Sequence, residues 1–290
     1  IVRFGLRTAF ADEAKLAAET AAAAGFDRAG RRDLTARTTL TIDDETTREI
    51  DDALSIDERD NGFVEVGIHI ADPCAFIAPG DPLDVEARTR GTTYYFPERK
   101  LLMLPAVLSE GAASLVAGEE RPALSFLVTL DAEGRVAGTE FVRSLIRVAS
   151  RLGYDEVDAT LRAGTGPHAD VLTRLAAVAS RREAVRRAHG AIALRTPETE
   201  IRVAADGSLS LSKRDPDTPA QRLVSEAMIL AGEVSAAWFD ARRVPAIFRR
   251  QSAPDGRLPE ADPSQPSAVH IRAVRRLLKR GEAGLRPGTH

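Results

Sequence analysis

A dense group of carboxylates occupies residues 40–53, which read LTIDDETTREIDDA. The acidic residues in this segment are Asp43, Asp44, Glu45, Glu49, Asp51 and Asp52. A charge run of this kind is most often a solvated loop. Here, however, Asp43 follows Ile42, and the Asp51–Asp52 pair follows Ile50. Carboxylates between core-type residues must be paired or bound to a cation, because burying a bare charge is costly in free energy.

Hard cations with oxygen ligands are the chemistry that such a cluster could support. A calcium loop of the EF-hand type requires Gly at its sixth position and Glu at its twelfth. Counted from Asp43, those positions hold Arg48 and Leu54, so the calcium pattern fails. Magnesium binds through a few carboxylates and keeps water and substrate phosphate as further ligands. Two such ions can stabilise both the attacking and the leaving oxygen of a phosphodiester displacement.

Two polar residues follow in VGIHIADP, residues 66–73. His69 alternates with apolar neighbours on a predicted strand, which is more typical of a structural histidine than of a metal ligand. Asp72 precedes Pro73, a pattern typical of a turn.

Adjacent tyrosines occur further on, in TTYYFP. On a strand, the side chains of Tyr94 and Tyr95 point to opposite faces. One ring could stack on a nucleic-acid base, or both rings could pack within the protein; the pair alone leaves both interpretations open.

The elements that must position these residues are strands in the first half and mainly helices in the second. Alternation and turn residues predict strands within 31–43, 52–57, 62–71, in two runs of 123–148, in a hairpin over 200–213 and over 247–251. Helical periodicity predicts helices over 11–25, 83–91, 168–189, 218–241 and 267–281. Strands followed by helices favour an α+β fold.

Composition narrows the class of protein. The chain has 290 residues and a formal net charge of -3, with an acidic first third and a basic final third. No apolar run reaches the ~18 residues that a membrane span requires, so we expect no membrane association. The single cysteine, Cys74, excludes an internal disulfide framework and fits a reducing compartment, so we expect a cytoplasmic protein.

Taken in order, these segments resemble the RNB catalytic domain of the ribonuclease II and ribonuclease R family. The resemblance begins at RRDLTARTTLTIDDETTREIDDALSID and NGFVEVGIHIADP, and continues through RTRGTTYYFPERKLLMLPAVLS. Weaker matches follow in SRLGYDEVD, HGAIALRTPETEI, AQRLVSEAMILAGEVSAAW and IFRRQSAPDG, so that the similarity spans about residues 31 to 257. It implies an RNB-type fold with a mixed or antiparallel sheet surrounded by helices. We therefore expect residues 1–30 to be a helical lead-in and residues 31–290 to be the catalytic domain, with its C-terminal portion missing.

The resemblance also implies a function. Members of the family are magnesium-dependent hydrolytic exoribonucleases, which degrade single-stranded RNA from the 3′ end to 5′ mononucleotides. The family's four acidic residues correspond to Asp43, Glu49, Asp51 and Asp52, expected to be catalytic and to hold one or two Mg²⁺ ions. Glu49 departs from the pattern, because the family usually has aspartate there.

The family's RNA contacts can be carried over in the same way. The tyrosine that stacks on the 3′-terminal base corresponds to Tyr95. Its aromatic partner is replaced by Leu194, which cannot stack, and Glu226 matches an acidic position near the RNA path. A further expectation is that arginines of the later helices line an RNA channel, with Arg181, Arg182, Arg186 and Arg187 as candidates and a solvated helix face as the alternative.

One expected element is absent from the sequence. The family's TSPIRRY-like segment, whose arginine contacts the scissile phosphate, does not occur here. Two alternatives to an exoribonuclease therefore stay open: a catalytically impaired RNB-like RNA-binding or regulatory module, and a hydrolase of another phosphoester. We expect a monomer, with RNA-binding domains flanking this region in the full-length protein.

Overall fold

The computed structural model describes residues 2–193, 198–203, 206, 208–215, 217–260 and 267–288. Its strands are β1 (Arg32–Asp33), β2 (Thr39–Asp43), β3 (Asp52–Glu58), β4 (Val64–Ala71), β5 (Tyr94–Tyr95), β6 (Lys100–Leu101), β7 (Glu120–Leu130), β8 (Val136–Gly153), β9 (Glu198–Val203), β10 (Leu209–Arg214), β11 (Phe248–Arg250) and β12 (Glu282–Gly284). Its α-helices are α1 (Asp12–Ala24), α2 (Pro82–Arg90), α3 (Tyr154–Ala163), α4 (Ala169–Ala188), α5 (Pro219–Ala241) and α6 (Ser267–Leu277).

Five strands close into a barrel because β8 is long enough to pair on both sides. Its residues Val136 to Arg147 pair antiparallel with β7, and Val148 to Gly153 pair parallel with β2. Antiparallel pairings β2–β3, β3–β4 and β4–β7 complete the circuit, and β1 adds a short parallel pairing to β8. Closure leaves the barrel strands without a long unpaired edge.

The outer face of the barrel is apolar and is covered by three helices. Leu54 of β3 and Ile68 of β4 pair in register on this face, and both are buried. Residues of α3, α4 and α5 pack on them, including the buried Leu172 and Leu223. The strict alternation of the strands thus directs every second side chain into one helix-covered core.

The inner face of the barrel carries a buried polar chain. The two ring nitrogens of His69 lie 3.0 Å from Ser55 Oγ and 2.7 Å from Ser125 Oγ, and Ser125 Oγ lies 2.6 Å from Ser144 Oγ. Burial lowers the pKa of His69 to about 3, so the ring is neutral. Gly67 makes room for this chain, because a Cβ there would lie 2.3 Å from Ser55 Oγ.

The N-terminal helix α1 packs against the region between β4 and β7. Its buried Ala14 and Ala18 contact Leu83 of α2 and Leu108, which lies in a single helical turn, Leu108–Ala112. Small side chains allow this close approach. The helix ends at Gly25, whose backbone has φ of 73°, a conformation that glycine adopts without strain.

The predicted α+β class and RNB-type architecture are confirmed, and most predicted elements occur within a few residues of their expected bounds. Short strands such as β12 were missed, and so was the junction between β8 and α3. The strand expected to stop near 148 continues to Gly153, and α3 follows it directly. No turn signal separates the two elements; the helix start is marked only by Glu156, whose carboxylate accepts a hydrogen bond from the Gly153 N–H at 3.4 Å.

Candidate active site at the barrel rim

Strands of the barrel fix both ends of the acidic segment. Asp43 is the last residue of β2 and pairs with Gly153. Asp52 is the first residue of β3 and pairs with Ile70. Since β2 and β3 are antiparallel neighbours, the end of one and the start of the other lie at the same rim of the barrel. Residues 44–51 connect them and are called the rim loop below.

An arginine of β8 holds the first half of the rim loop. The Arg151 guanidinium donates hydrogen bonds to the backbone carbonyls of Asp44, Glu45 and Thr47, at 3.0, 3.2 and 2.6 Å. Three convergent carbonyls leave little freedom to the loop backbone. The same positive charge opposes the rise in the pKa of the Asp43 carboxyl.

A buried serine holds the second half of the rim loop. Ser114 Oγ accepts a hydrogen bond from the Ile50 N–H at 3.0 Å and donates one to the Arg48 carbonyl at 3.0 Å. The Leu115 N–H donates to the Ile50 carbonyl at 2.9 Å. The side chain of Ile50 is buried in the apolar cluster inside the barrel. This anchoring places the neighbouring Asp51 at the rim.

The carboxylates at the rim raise one another's pKa values. Burial, followed by the charge of Asp52, raises the pKa of Asp43 to about 7. Burial and the charge of Asp51 raise the pKa of Asp52 to about 6. The pKa of Asp51 is also raised, by burial and by Glu49. Three acidic side chains thus resist ionisation because each is partly desolvated and faces another negative charge.

The donor set at the rim suits a hard cation. Asp43 Oδ2 is buried and has no hydrogen-bond partner within the described part of the chain. The chemistry of the set is all carboxylate oxygen, which Mg²⁺ prefers, and a divalent cation would offset the mutual repulsion. Among the described residues, no three His, Cys, Asp or Glu side chains already stand in the geometry of a metal site. The side chains at the rim are therefore of the type that binds such an ion. They are not yet in the geometry that would bind it.

Tyr95 lies beside the carboxylates and contacts one of them. Its hydroxyl donates a hydrogen bond to Glu49 Oε2 at 3.1 Å, and the Thr93 hydroxyl lies 3.4 Å from Glu49 Oε1. Burial and the nearby Glu49 charge raise the pKa of Tyr95 to about 12. The structure therefore brings Tyr95 and the acidic segment together, although 46 residues separate Tyr95 from Glu49.

The ring of Tyr95 remains available to a ligand. The residue is 64% exposed, on the short β5–β6 hairpin. Its pairing partner Lys100 holds its ammonium group 5.4 Å from the ring centroid. Tyr94 instead stacks on Phe96, with ring centroids 6.5 Å apart. Of the two adjacent tyrosines, Tyr95 has both the exposure and the acidic neighbour.

Glu226 has a different environment. It is buried on α5, and its carboxylate accepts two hydrogen bonds from the Arg186 guanidinium of α4. It also lines a cavity of about 20 Å³ beneath Leu54. The ion pair ties the two longest helices together. Leu194, the position of the missing aromatic partner, lies outside the described residues.

The expectation that four arginines of α4 line an RNA channel is corrected for two of them. Arg182 is 3% exposed and pairs with Glu233 of α5, and Arg186 pairs with Glu226. Both join helices because helix periodicity turns them towards α5. Arg181 donates to the Ala132 carbonyl, and Arg187 pairs with Glu183 on its own helix.

The structural interpretations of His69 and Asp72 are confirmed. His69 is fully buried inside the barrel and bonded to two serines. Asp72 precedes a helical turn, Pro73–Ala75, and its carboxylate accepts a 2.7 Å hydrogen bond from the buried Arg31. Neither is a member of the rim carboxylate group.

Sequence reasoning missed the residues that support the site. Arg151 and Ser114 bond to the rim loop from distant positions, and Thr93 contacts Glu49. The only available signal for Arg151 was its place in an extended β-branched run, which predicts a strand but not the strand's partner. Lys100, one of few lysines, gave no signal of its own.

Comparisons with known proteins identify the family. The RNB domain model matches residues 31–278. An uncharacterized ribonuclease of Synechocystis is 39% identical over 263 residues, which is 90% of this chain and 39% of that protein. Ribonuclease R of Thermotoga maritima is 33% identical over 236 residues, which is 79% of this chain and 33% of that protein. The chain therefore spans between a third and two fifths of the length of these relatives.

Solved structures share the fold. Mycoplasma genitalium RNase R in complex with double-stranded RNA matches 99% of this chain and 57% of its own, with a TM-score of 0.87 at 19% identity. Yeast Ssd1, described as a pseudonuclease, matches 88% of this chain and 35% of its own, with a TM-score of 0.69 at 19% identity. The fold is thus common to a ribonuclease and to a pseudonuclease. On the domain match and the relatives' identities, the chain belongs to the RNB domain family.

Proposed function

We propose that this chain is the catalytic domain of a magnesium-dependent exoribonuclease, which hydrolyses single-stranded RNA from the 3′ end and releases 5′ nucleoside monophosphates. The observation that carries the proposal is the rim: mutually repelling carboxylates beside an exposed tyrosine, in a family of ribonucleases. Because the chain covers only part of its relatives, the activity, the direction and the substrate are all proposals.

The catalytic residues in this proposal are Asp43, Glu49, Asp51 and Asp52, which would hold one or two Mg²⁺ ions. When bound, magnesium supplies an activated water and stabilises charge at the scissile phosphate. The unpartnered Asp43 Oδ2 and the raised pKa values of the aspartates support this assignment.

Tyr95 is proposed to stack on the 3′-terminal base, since its ring is exposed at the rim. Its hydrogen bond to Glu49 couples the base-binding ring to one proposed ligand. In this arrangement Glu49 has two tasks: it faces the other acids, and it fixes the orientation of the tyrosine. The longer reach of glutamate, compared with the family's aspartate, accommodates both.

Further parts of the proposal concern the domain organisation and the wider protein. We propose that residues 31–290 form the catalytic domain after a helical lead-in at 1–30, and that flanking RNA-binding domains accompany it. We also propose that the protein is a cytoplasmic monomer; the exposed free thiol of Cys74 fits a reducing compartment. No helix in the described ranges is both long and apolar enough to cross a bilayer.

Glu226 is proposed to border the RNA path. This role would require Glu226 to share or release its ion-pair partner, Arg186.

A catalytically impaired RNB-like RNA-binding module is the second candidate. It is favoured by one contact pattern: both oxygens of Glu49 already have hydroxyl neighbours, Tyr95 and Thr93. A glutamate held in this way is a weaker ligand than a free aspartate. The likeness to a pseudonuclease fold is compatible with this alternative.

The experiment is a gel assay with 5′-labelled single-stranded RNA and a matched DNA, in Mg²⁺ and in EDTA. The exoribonuclease predicts a magnesium-dependent ladder that shortens from the 3′ end on RNA only. Binding of RNA without shortening would favour the RNA-binding module, and equal cleavage of RNA and DNA would favour another phosphodiesterase. Glu49→Asp then separates the first two candidates, because it restores the family's usual residue.

A further inference from the structure

Helix α6 presents a basic surface that the carboxylate site does not use. Arg272, Arg275 and Arg276 lie three and four residues apart, so they share one side of the helix. All three are exposed. These residues are called the α6 basic face. Two of the helix's apolar side chains, Ile271 and Val274, are buried on another side, whereas Val269 is half exposed.

The α6 basic face lacks the ion pairs that are common elsewhere in this chain. Several exposed arginines elsewhere in the chain have acidic partners: Arg32 pairs with Glu140, for example, and Arg59 with Glu65. No carboxylate of the described residues lies within ion-pair distance of any of the three α6 arginines. Three neighbouring like charges repel one another, and no carboxylate among the described residues offsets that repulsion.

The orientation of the α6 basic face is fixed by contacts on its other sides. The Asp255 N–H donates to the Leu277 carbonyl at 3.1 Å, and the Asp255 carboxylate pairs with Lys279. The two-stranded β11–β12 pairing joins the segments before and after the helix. The arginines therefore belong to a held surface rather than to a free end of the chain.

The helix dipole does not account for the whole arrangement. Basic residues in a last helical turn are stabilising, and Arg275 and Arg276 occupy that turn. Arg272 lies five residues before the helix ends at Leu277. The dipole effect fades within the last turn, so Arg272 gains little from it.

We propose that the α6 basic face binds the phosphate backbone of single-stranded RNA, as a contact additional to the carboxylate rim. This inference rests on the proposed function, and it names a second surface for the same substrate. A lipid surface is disfavoured, because interfacial helices insert an apolar face, and that face of α6 is already buried. Phosphate contacts carry no information on base or sugar, so the surface serves affinity rather than RNA selection.

The test compares three variants of the chain by fluorescence anisotropy, with labelled 20-nucleotide RNA and DNA in EDTA over a range of salt. The first variant is R272Q/R275Q/R276Q. The second, R272K/R275K/R276K, keeps the charge. The third, R32Q/R59Q/R135Q, removes the same charge from arginines that are already paired. Circular dichroism and thermal unfolding check that all three variants keep the fold.

The expected result is at least a tenfold loss of affinity for the glutamine variant at α6, equal for RNA and DNA. The slope of log K against log salt should fall by about 2, because each lost phosphate contact on a single strand removes about 0.7. The lysine variant should retain most of the binding, since lysine also binds phosphate as a point charge. The control variant should lose less than threefold.

The contrary results are distinct for the two proposals. If the wild-type chain binds RNA but the α6 glutamine variant has the same affinity and salt slope, the basic face is not an RNA surface. If the α6 variant and the control lose affinity equally, only net charge matters and the inference is again wrong. Absence of both RNA binding and cleavage in the wild-type chain would overturn the proposed function and this inference with it.

Discussion

Two polar regions of the barrel differ in whether their buried groups have hydrogen-bond partners. Inside the barrel, His69 is bonded to Ser55 and Ser125, so that its buried nitrogens both have partners. At the rim, the pKa of Asp43 is raised by burial and by the charge of Asp52, and the pKa of Asp52 is raised by burial and by the charge of Asp51. Within the described residues, one buried oxygen of Asp43 has no hydrogen-bond partner. The interior chain stabilises the barrel, whereas the rim holds like charges that only a cation or protons can neutralise.

The difference shows how the fold can hold a group of repelling carboxylates in place. The neutral interior chain is complete without any ligand. The rim depends on the rest of the molecule to hold it in place, through Arg151 and Ser114. Substitutions that disrupt the interior polar chain should therefore lower the free energy of unfolding. Substitutions of the rim carboxylates should lower activity, while stability is kept or improved.

The largest effect is expected for Asp52→Asn. Cleavage should fall by about 10³-fold or more, because the variant removes a charge that supports metal-assisted hydrolysis. RNA affinity should change less than about twofold, since backbone contacts are untouched. Single-turnover cleavage and anisotropy measure the two quantities. The control is Asp57→Asn on the same strand, whose partner is Arg37; near-normal turnover in the Asp52 variant would sink the site assignment.

Gly67→Ala should break the interior chain. A Cβ at this position would lie 2.3 Å from Ser55 Oγ and 2.7 Å from His69 Nε2. We expect a loss of about 3 kcal/mol in the free energy of unfolding, typical of overpacking in a tight core, measured by urea denaturation. Gly138→Ala is the matched control on β8, because its Cβ would lie 3.8 Å from its nearest neighbour, Thr129 Cβ. Equal losses for the two variants would contradict the account of the interior.

Glu226→Gln tests the α4–α5 ion pair. The variant leaves Arg186 partly buried without its carboxylate partner. The expected loss is about 2 kcal/mol, less than for a fully buried pair because Arg186 retains some access to water. The exposed pair of Glu133 with Arg135 provides the control Glu133→Gln, which should change stability by less than about 0.5 kcal/mol. If RNA affinity falls in Glu226→Gln with no loss of stability, Glu226 contacts RNA rather than serving the helix pair.

Arg151→Gln should loosen the rim loop. Removing its three backbone hydrogen bonds should raise the magnesium concentration for half-maximal cleavage by about tenfold, in the range found for residues that orient metal ligands. The maximal rate at saturating magnesium should fall less, a separation that general misfolding would not produce. Arg147→Gln is the control on the same strand, where the partner is Glu120. An unchanged magnesium requirement would show that the loop does not need this arginine.

The two regions should respond oppositely to pH. The raised pKa of Asp43 makes its contribution to stability complete below about pH 4 and lost as the pH rises through about 7. The lowered pKa of His69 makes its contribution complete above about pH 6.5 and lost as the pH falls towards 3. Comparing wild type with Asp43→Asn in EDTA isolates the first effect. Wild type should lose stability relative to the variant between about pH 4 and 7; parallel profiles would show that the pKa of Asp43 is not raised in the folded state.

The sequence predicted the strands and helices well because their periodicity is local. It placed the carboxylates at the junction of β2 and β3, since Asp43 and Asp52 flank a short acidic loop between two apolar runs. It could not predict that β8 closes the barrel, because pairing with both β2 and β7 depends on a strand continuing past residue 148.

The same reason explains the supporting residues of the site. Arg151 reaches the rim loop from more than a hundred residues away, and no local pattern encodes such a contact. Helix periodicity alone could not distinguish Arg182 and Arg186, which pair with α5, from solvent-facing arginines. That distinction depends on which face of α4 meets another helix.

The most direct test of the account is the effect of magnesium on unfolding at pH 7.5, without RNA. Urea denaturation of wild type and Asp52→Asn is followed in EDTA and in rising Mg²⁺. Because a ligand stabilises the state that binds it, by about 2.7 kcal/mol at a hundred times its Kd, wild-type stability should rise with magnesium. In EDTA the variant should be the more stable of the two, and it should gain much less from the ion. Equal magnesium responses, or a variant less stable than wild type in EDTA, would contradict the claim that the rim carboxylates repel one another until a cation binds.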